Sequence, residues 1–364
     1  MRRDRVLRTM GAHFTKANDD DDAKAIEWYR TPISASKSSQ VHSLSDTQGF
    51  VQAGGWLTIL FGAGALAVHA SAVGDVGAAV AWSLVYGCVA NFAINGMHEL
   101  GHNSVFRTPA LNSIFLRIVC FIGWLHPDMF FSSHHRHHRF TQHAPHDQEN
   151  PMPIRVTLGG FISFGFINFV GAFEALQQTF YAATGRFPVG YLGWRTGWEA
   201  MLYPPSEGAA RLSAARWAQV MLAGHFLFAA ACVTHKIHLA PFLLSCGPFF
   251  NGWLFFLCNS TQHIGLEPSV PDFRRNSRTF YLNPIVRFLY WHMNWHIEHH
   301  MWPRVPCYHL AELHEAIKHD LPPTPDGLFA VWQVVIKDMQ ALDKDPAFVQ
   351  RVVLPLPTKP IKAE

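Results

Sequence analysis

The segment HELGH, residues 98–102, is a short stretch of this sequence with an evident chemistry. Its two histidines lie four residues apart, so a helix would present His98 and His102 on one face, where both can bind one metal ion. The pattern is that of zinc proteases, in which Glu99 would act as general base. Because a pair of imidazoles also suits other metals, the segment alone leaves the kind of site open.

Two further segments, SHHRHH and NWHIEHH, share one His-x-x-His-His spacing, and His263 follows Asn259 in NSTQH. In HHRHH this spacing favours His134 over His135 as the first ligand. A tetrahedral zinc ion takes at most four ligands, whereas nine imidazoles suit two metal ions of higher coordination number. The nine candidate metal ligands are His98, His102, His134, His137, His138, His263, His296, His299 and His300.

Long apolar runs must position these histidines. Four runs of the sequence contain no Asp, Glu, Lys or Arg: residues 47–74, 76–98, 217–235 and 237–266. A short turn separates the first run from the second, and another separates the third from the fourth. Since about 20 apolar residues in a helix cross a bilayer, we predict four transmembrane helices in two antiparallel hairpins. Residues 110–131 and 157–173 are predicted to form interfacial or half-inserted helices, with buried helices of the soluble type as the alternative.

The remaining chain is predicted to lie outside the bilayer. Residues 1–48 form an N-terminal segment that is partly disordered, residues 49–310 a membrane domain with the histidine motifs, and residues 311–364 C-terminal helices and a tail. Arginines cluster in the segments between and after the hairpins, which the positive-inside rule places in the cytosol. The predicted fold class is therefore an all-α integral membrane protein whose cytosolic helical cap carries every histidine motif.

Composition agrees with a membrane protein and excludes other classes. Hydrophobic residues make up 49% of the chain and charged residues only 15%, below the roughly 25% of a soluble domain. A net charge of +3 gives no reason to expect nucleic acid as a partner. The six cysteines form no CxxC pair and predict no disulfide framework.

Taken together, HELGH, SHHRHH, NSTQH and NWHIEHHMWP resemble the motifs of the membrane fatty acid desaturase and hydroxylase superfamily. The stretch HELGHNSVFRTPALN followed by HHRHHRFTQHAPHD is most similar to a branch that includes the rhizobitoxine desaturases. This resemblance implies two iron ions held by the nine histidines, O2 as co-substrate, and a fatty acyl or lipid-like substrate. It also implies that Asn259 holds an iron-bound water.

The resemblance further implies how electrons arrive. The sequence has no His-Pro-Gly-Gly motif of a fused cytochrome b5 domain. We therefore expect a separate electron donor, cytochrome b5 or a ferredoxin with its reductase. The implied location is the endoplasmic reticulum of a eukaryote or the inner membrane of a bacterium, with the active site facing the cytosol.

Acidic residues beside the histidines are candidates for supporting roles. Glu99 and Glu298 lie inside motifs and are predicted to accept the far ring N–H of a ligating histidine and so orient it; Asp147 and Glu149 are weaker candidates of the same kind. Trp291 and its neighbouring tryptophans are expected at the membrane interface, or else along a substrate channel.

Several reactions share this ligand set. We favour a desaturase on the resemblance, with a hydroxylase or ketolase as the alternative. An intramembrane zinc protease would need a third ligand from a Leu-Asp-Gly motif, which the sequence lacks. A metal transporter would place its ligands at mid-membrane, whereas the predicted topology gathers them at one face.

Overall fold

The computed structural model describes residues 26–147, 149, 156–187 and 208–356, and it is helical across these ranges, with three isolated β-bridges and no strand in them. The predicted disorder of the first residues falls outside these ranges. The helices are α1 (Ala35–Val41), α2 (Asp46–Ala72), α3 (Val76–Gly101), α4 (Pro109–Gly123), α5 (Pro127–Phe140), α6 (Leu158–Phe166), α7 (Phe169–Ala183), α8 (Gly208–Thr234), α9 (Leu239–Cys246), α10 (Trp253–Asn259), α11 (Phe273–Asn276), α12 (Pro284–Leu289), α13 (His296–Met301), α14 (Leu310–Ile317) and α15 (Gly327–Lys344).

Within the described ranges, three helices, α2, α3 and α8, are long and apolar enough to cross a bilayer, and they coincide with the first three predicted runs. Each has 26 or 27 residues, about 40 Å at 1.5 Å per residue, against a hydrocarbon layer of about 30 Å. Large apolar side chains stay exposed along them, such as Phe226 on α8 at 72%. The prediction of a membrane protein built from apolar helices is therefore supported.

The fourth apolar run does not form one continuous helix. It divides into α9, a 3₁₀ turn at Gly247–Phe249 and α10, while the predicted helix over residues 157–173 divides into α6 and α7. The two breaks pair with each other: Asn168 N–H donates to the Phe249 carbonyl at 2.7 Å, and Asn251 N–H donates to the Phe166 carbonyl at 2.8 Å. In an apolar environment such pairing satisfies backbone groups that a broken helix leaves open.

The predicted helix over residues 110–131 also becomes two, α4 and α5, which bend by 103°. Trp124 adopts a left-handed conformation with φ of 54°, and Pro127 begins the next helix. α4 runs antiparallel to the end of α3, since a Cβ on Gly96 would lie 3.1 Å from Val119 and one on Gly123 would lie 3.0 Å from Ala93. The bend carries α5, with its histidines, across the end of α3.

One buried core joins the long helices to the C-terminal part of the chain. It extends from Trp56 on α2 through Trp291 to Leu310 on α14 and Val331 on α15. The predicted C-terminal helices are present as α14, flanked by 3₁₀ turns, and α15. The described N-terminal residues pack on the same part, because Trp28 stacks on Phe273 with ring centroids 4.1 Å apart.

Candidate metal centre

Nine imidazoles converge where α5 and α13 meet the end of α3 and the residues after α10. Their ring nitrogens form two groups, and within each group one nitrogen from every residue lies within 4.8 Å of all the others. The nine are the residues predicted from motif spacing. The first group is His98, His102, His134, His138 and His299, and the second is His137, His263, His296 and His300.

Helical periodicity divides each His-x-x-His-His motif between the groups. On α5, His134 and His138 are four residues apart, share a face and join the first group, while His137 faces the second. On α13 the division is reversed, because His296 and His300 join the second group and His299 joins the first. Each of these two helices therefore contributes ligands to both groups.

Within each group the Nε2 atoms face one another at close range. In the first, His134 Nε2 lies 2.9 Å from His138 Nε2 and 3.2 Å from His102 Nε2. In the second, His296 Nε2 lies 2.9 Å from His263 Nε2 and 3.1 Å from that of His300. Metal–nitrogen bonds of about 2.1 Å at right angles would place adjacent ligands about 3.0 Å apart. The separations therefore fit imidazoles that share an ion.

In several of the nine histidines the opposite ring atom, Nδ1, contacts an acceptor. His137 Nδ1 lies 2.9 Å from Asp147 Oδ2 and His134 Nδ1 lies 3.1 Å from Glu149 Oε1. His263 Nδ1 lies 2.8 Å from the Asn276 carbonyl, which can only accept, so the ring is protonated there. These contacts leave the Nε2 lone pairs directed inward, as ligating histidines require.

Glu99 contacts histidines from two different motifs. Its Oε1 lies 2.8 Å from His98 Nδ1 and 3.7 Å from His299 Nδ1, and the carboxylate is 1% exposed. Because both of these histidines belong to the first group, one buried acid can hold the end of α3 and α13 in register. This position is the one expected of a residue that orients metal ligands.

Burial keeps several imidazoles of this site neutral. Removal from water lowers the pKa of His263 to about 3, helped by the nearby His137. Burial, and then neighbouring imidazoles, hold the pKa values of His296, His299 and His300 well below the usual 6.5. Neutral imidazole is the form that binds metal ions, so these donors are in the binding form near neutral pH. His137 differs: burial lowers its pKa, but Asp147 and Glu149 outweigh burial and raise the pKa to about 9, so a metal ion would have to displace its proton.

Comparison with known proteins identifies the family. Residues 76–332, more than half of the chain and all nine histidines, match the fatty acid desaturase family. The chain belongs to the fatty acid desaturase family. The resemblance seen in the motifs is thus confirmed, and with it the assignment to a family of oxidoreductases.

A relative of this desaturase-family chain is the chloroplastic omega-3 fatty acid desaturase of Glycine max. The two are 26% identical over 240 residues, which cover 61% of this chain and 50% of the relative. The chain therefore spans about half the length of that protein.

Glu298 contacts different residues from those expected of it. Its Oε1 lies 2.5 Å from His314 Nδ1 on α14, and its Oε2 accepts a hydrogen bond from Thr279 at 2.6 Å. The His314 Nε2 atom lies 3.1 Å from the Tyr281 hydroxyl. In this desaturase-family chain Glu298 thus connects α13 to α14 and to the loop before α12. It does not contact one of the nine histidines of the two groups.

The other candidates are placed as follows. His135 lies outside both groups and its Nδ1 contacts the Phe131 carbonyl at 2.7 Å. Asn259 ends α10, half-buried, four residues before His263. Trp291 is wholly buried in the core and not at an exposed interface.

Thr141 contacts the second histidine group but was not predicted from the sequence. Its Oγ1 lies 3.3 Å from His300 Nδ1. A threonine beside a histidine motif carries no distinctive sequence signal.

Proposed function

We propose that this chain is an O2-dependent di-iron oxidoreductase that introduces a carbon–carbon double bond into a fatty acyl or other lipid-like substrate. The observation that carries the proposal is the sorting of nine imidazoles into two adjoining groups. One group has five donors and the other four, more in total than a single metal ion takes. Membership of the fatty acid desaturase family supports iron as the metal and desaturation as the reaction.

The protein's part in this reaction is to bind, orient and shield. Two bound ferrous ions would supply the activation of O2 and the removal of hydrogen from an unactivated C–H bond. The nine histidines would hold these ions, and Glu99, Asp147 and Glu149 would fix the rings through Nδ1. For Asn259 we propose contact with an iron-bound water. For Glu298 we propose a supporting role through the placement of α13.

The membrane arrangement is part of the proposal. We propose four crossings, with the broken segment formed by α9 and α10 as the fourth, and both histidine groups at the cytosolic face. The substrate would then approach from the bilayer. Electrons would come from a separate cytochrome b5, or from a ferredoxin with its reductase. The membrane would be the endoplasmic reticulum in a eukaryote or the inner membrane in a bacterium.

A zinc protease and a metal transporter fit the same observations less well. A hydroxylase or ketolase would use the same donors and differ in where the substrate carbon lies. For a zinc protease the HELGH histidines should share a tetrahedral ion with one further ligand, yet His98 and His102 belong to a group of five imidazoles. A metal transporter would need donors along the apolar helices, whereas these donors gather at helix ends.

Lipid profiling tests the proposed reaction. We expect cells that express the chain with a suitable electron donor to contain an acyl species with one additional double bond. His299→Ala should abolish this product, and His135→Gln, which alters a neighbouring histidine outside both groups, should retain it. Identical profiles from the unmodified chain and His299→Ala would refute lipid desaturation, and a hydroxylated product would favour the alternative.

A further inference from the structure

A cavity of about 600 Å³ lies among the apolar helices, away from the histidines. Its volume is within the range of about 300–1,000 Å³ typical of sites for small organic molecules. The lining from α8 extends from Trp217 to Phe228, eleven residues or about 16 Å of helix. The cavity is therefore long enough to hold a single hydrocarbon chain. The apolar side chains that line it include Phe61 and Val68 of α2, Ile118 and Phe121 of α4, and Leu243 of α9.

One charged side chain interrupts this lining. Among the described residues that line the cavity, only Arg117 carries a charge. Its Nη1 atom is buried and has no hydrogen-bond partner within the described ranges. Its Nη2 atom lies 4.0 Å from Asp128 Oδ2, at the outer limit of an ion pair, and that oxygen also accepts a hydrogen bond from Ser213 at 3.1 Å. The Arg117 side chain is 31% exposed, and with only this long ion pair to Asp128 its guanidinium can bind an anion in the cavity.

Aromatic packing holds the guanidinium in place. The Arg117 guanidinium lies 4.8 Å from the ring centroid of Trp217, whose indole N–H donates to the Leu125 carbonyl at 2.9 Å. A guanidinium fixed in this way loses little freedom when it binds an anion. A negatively charged acceptor also makes a stronger hydrogen bond than a neutral one.

A layer of side chains separates the cavity from the first histidine group. Trp217 packs against the buried cluster of Met97, Cys120 and Phe131. On the other side of this layer, the Phe131 ring lies 6.2 Å from the ring of His134. The Arg117 end of the cavity is thus near the metal centre without being part of it.

We propose that this cavity binds a single-chain anionic amphiphile, such as a long-chain fatty acid. The carboxylate pairs with the Arg117 guanidinium, and the hydrocarbon chain extends along α8 between α2 and α9. This site is additional to the metal centre, and binding there requires neither iron nor turnover. If the chain did not catalyse desaturation, the cavity could still bind a fatty acid. If the cavity bound no fatty acid, the proposed desaturation would be unaffected.

The test uses the full-length protein, purified in detergent, and a photoactivatable palmitic acid. We expect crosslinks to map to α4 and α8, and Arg117→Gln to weaken labelling about tenfold or more. The matched control is Arg216→Gln, an exposed arginine one residue before Trp217 that does not line the cavity. Hexadecanol, which has the same chain but no charge, should compete at least tenfold less well than palmitate.

A second pair of variants tests the cavity itself. Ala65→Trp should fill it and abolish labelling, while Leu66→Trp, on the exposed surface beside it, should leave labelling unchanged. The thermal unfolding midpoint of each variant would report whether the fold is intact. Crosslinks elsewhere, equal labelling of Arg117→Gln and unmodified protein, or labelling that survives Ala65→Trp would overturn the inference. Tighter binding of two-chained phosphatidic acid than of palmitate would also overturn it.

Discussion

At the scale of single residues, Glu99 connects two histidine motifs that are nearly 200 positions apart. It contacts Nδ1 of His98 and of His299, one from each motif. Loss of such an outer contact typically lowers metal affinity 10- to 100-fold. We therefore expect Glu99→Gln to bind iron about 10- to 100-fold more weakly in a titration of the metal-free protein. Glu312→Gln is the control, because Glu312 contacts His309 at the surface; equal affinity for both variants would contradict the role given to Glu99.

The pair of Glu298 and His314 leads to a prediction about stability. Their side chains are 0% and 1% exposed, and removing one partner of a buried pair leaves the other uncompensated at a cost of about 3–5 kcal/mol. We expect His314→Leu to lower the thermal unfolding midpoint markedly. Adding Glu298→Gln should recover part of the loss, because the amide is uncharged. A double variant less stable than His314→Leu would contradict this pairing.

At the scale of helices, the convergence of the nine histidines could be predicted from the sequence, but their division into two groups could not. The i, i+4 rule correctly joins His134 with His138 and His296 with His300. It does not reveal that the two motifs serve opposite groups, because that depends on how α5 crosses α13. The 103° bend between α4 and α5 sets this crossing, and the sequence signals around Trp124 and Pro127 indicate a break without its direction.

The broken helices show a second limit of sequence reasoning. A count of uncharged residues gives one span over residues 237–266, since it measures apolar length and not continuity. Continuity here depends on the bridge between Ile167 and Phe250, two residues far apart in the chain. The fourth run contains Gly247, Pro248 and Gly252, which disfavour a continuous helix there. Whether the break is stable depends on the segment that pairs with it, and the sequence of the run does not identify that segment.

The contact between α3 and α5 can be tested at Gly101. A Cβ there would lie 1.5 Å from Phe131 Cζ, so Gly101→Ala must displace that ring, which packs beside His102 and His134. Overpacking of this kind costs typically 1–3 kcal/mol, and we expect a lower unfolding midpoint together with reduced iron content. Combining it with Phe131→Leu should restore part of both.

The matched control for this contact is Gly62→Ala. Gly62 also lies within a helix, but nothing lies within 4 Å of an added Cβ. Alanine is the better helix former by roughly 0.5–1 kcal/mol. Gly62→Ala should therefore be neutral or slightly stabilising. A similar loss of iron in both variants would show that the Gly101 contact has no special importance.

At the scale of the whole molecule, the histidine centre makes stability depend on pH. In the unfolded chain histidines gain protons near pH 6.5, whereas burial keeps His263, His296, His299 and His300 neutral to lower pH. Below about pH 6.5 the unfolded state therefore binds more protons than the native state, and stability falls as pH falls. Each such imidazole contributes roughly 1.4 kcal/mol per pH unit.

We accordingly expect the unfolding midpoint of the purified protein to drop steeply between pH 6.5 and pH 5. Iron release should occur over the same range, because protons compete with the metal for the same nitrogens. Thermal scans and iron analysis at a series of pH values would measure both. A midpoint that is constant, or that rises as pH falls, would be inconsistent with buried neutral histidines.

The proposed centre consists of two metal ions held by two groups of histidines. Metal analysis of the purified protein tests this most directly, with His299→Ala and His300→Ala removing one ligand from the first and second group respectively. We predict about two irons per chain in the unmodified protein, reduced iron in each variant, and two irons in the His135→Gln control. About one zinc per chain, or an iron content that neither ligand substitution changes, would contradict the proposed centre.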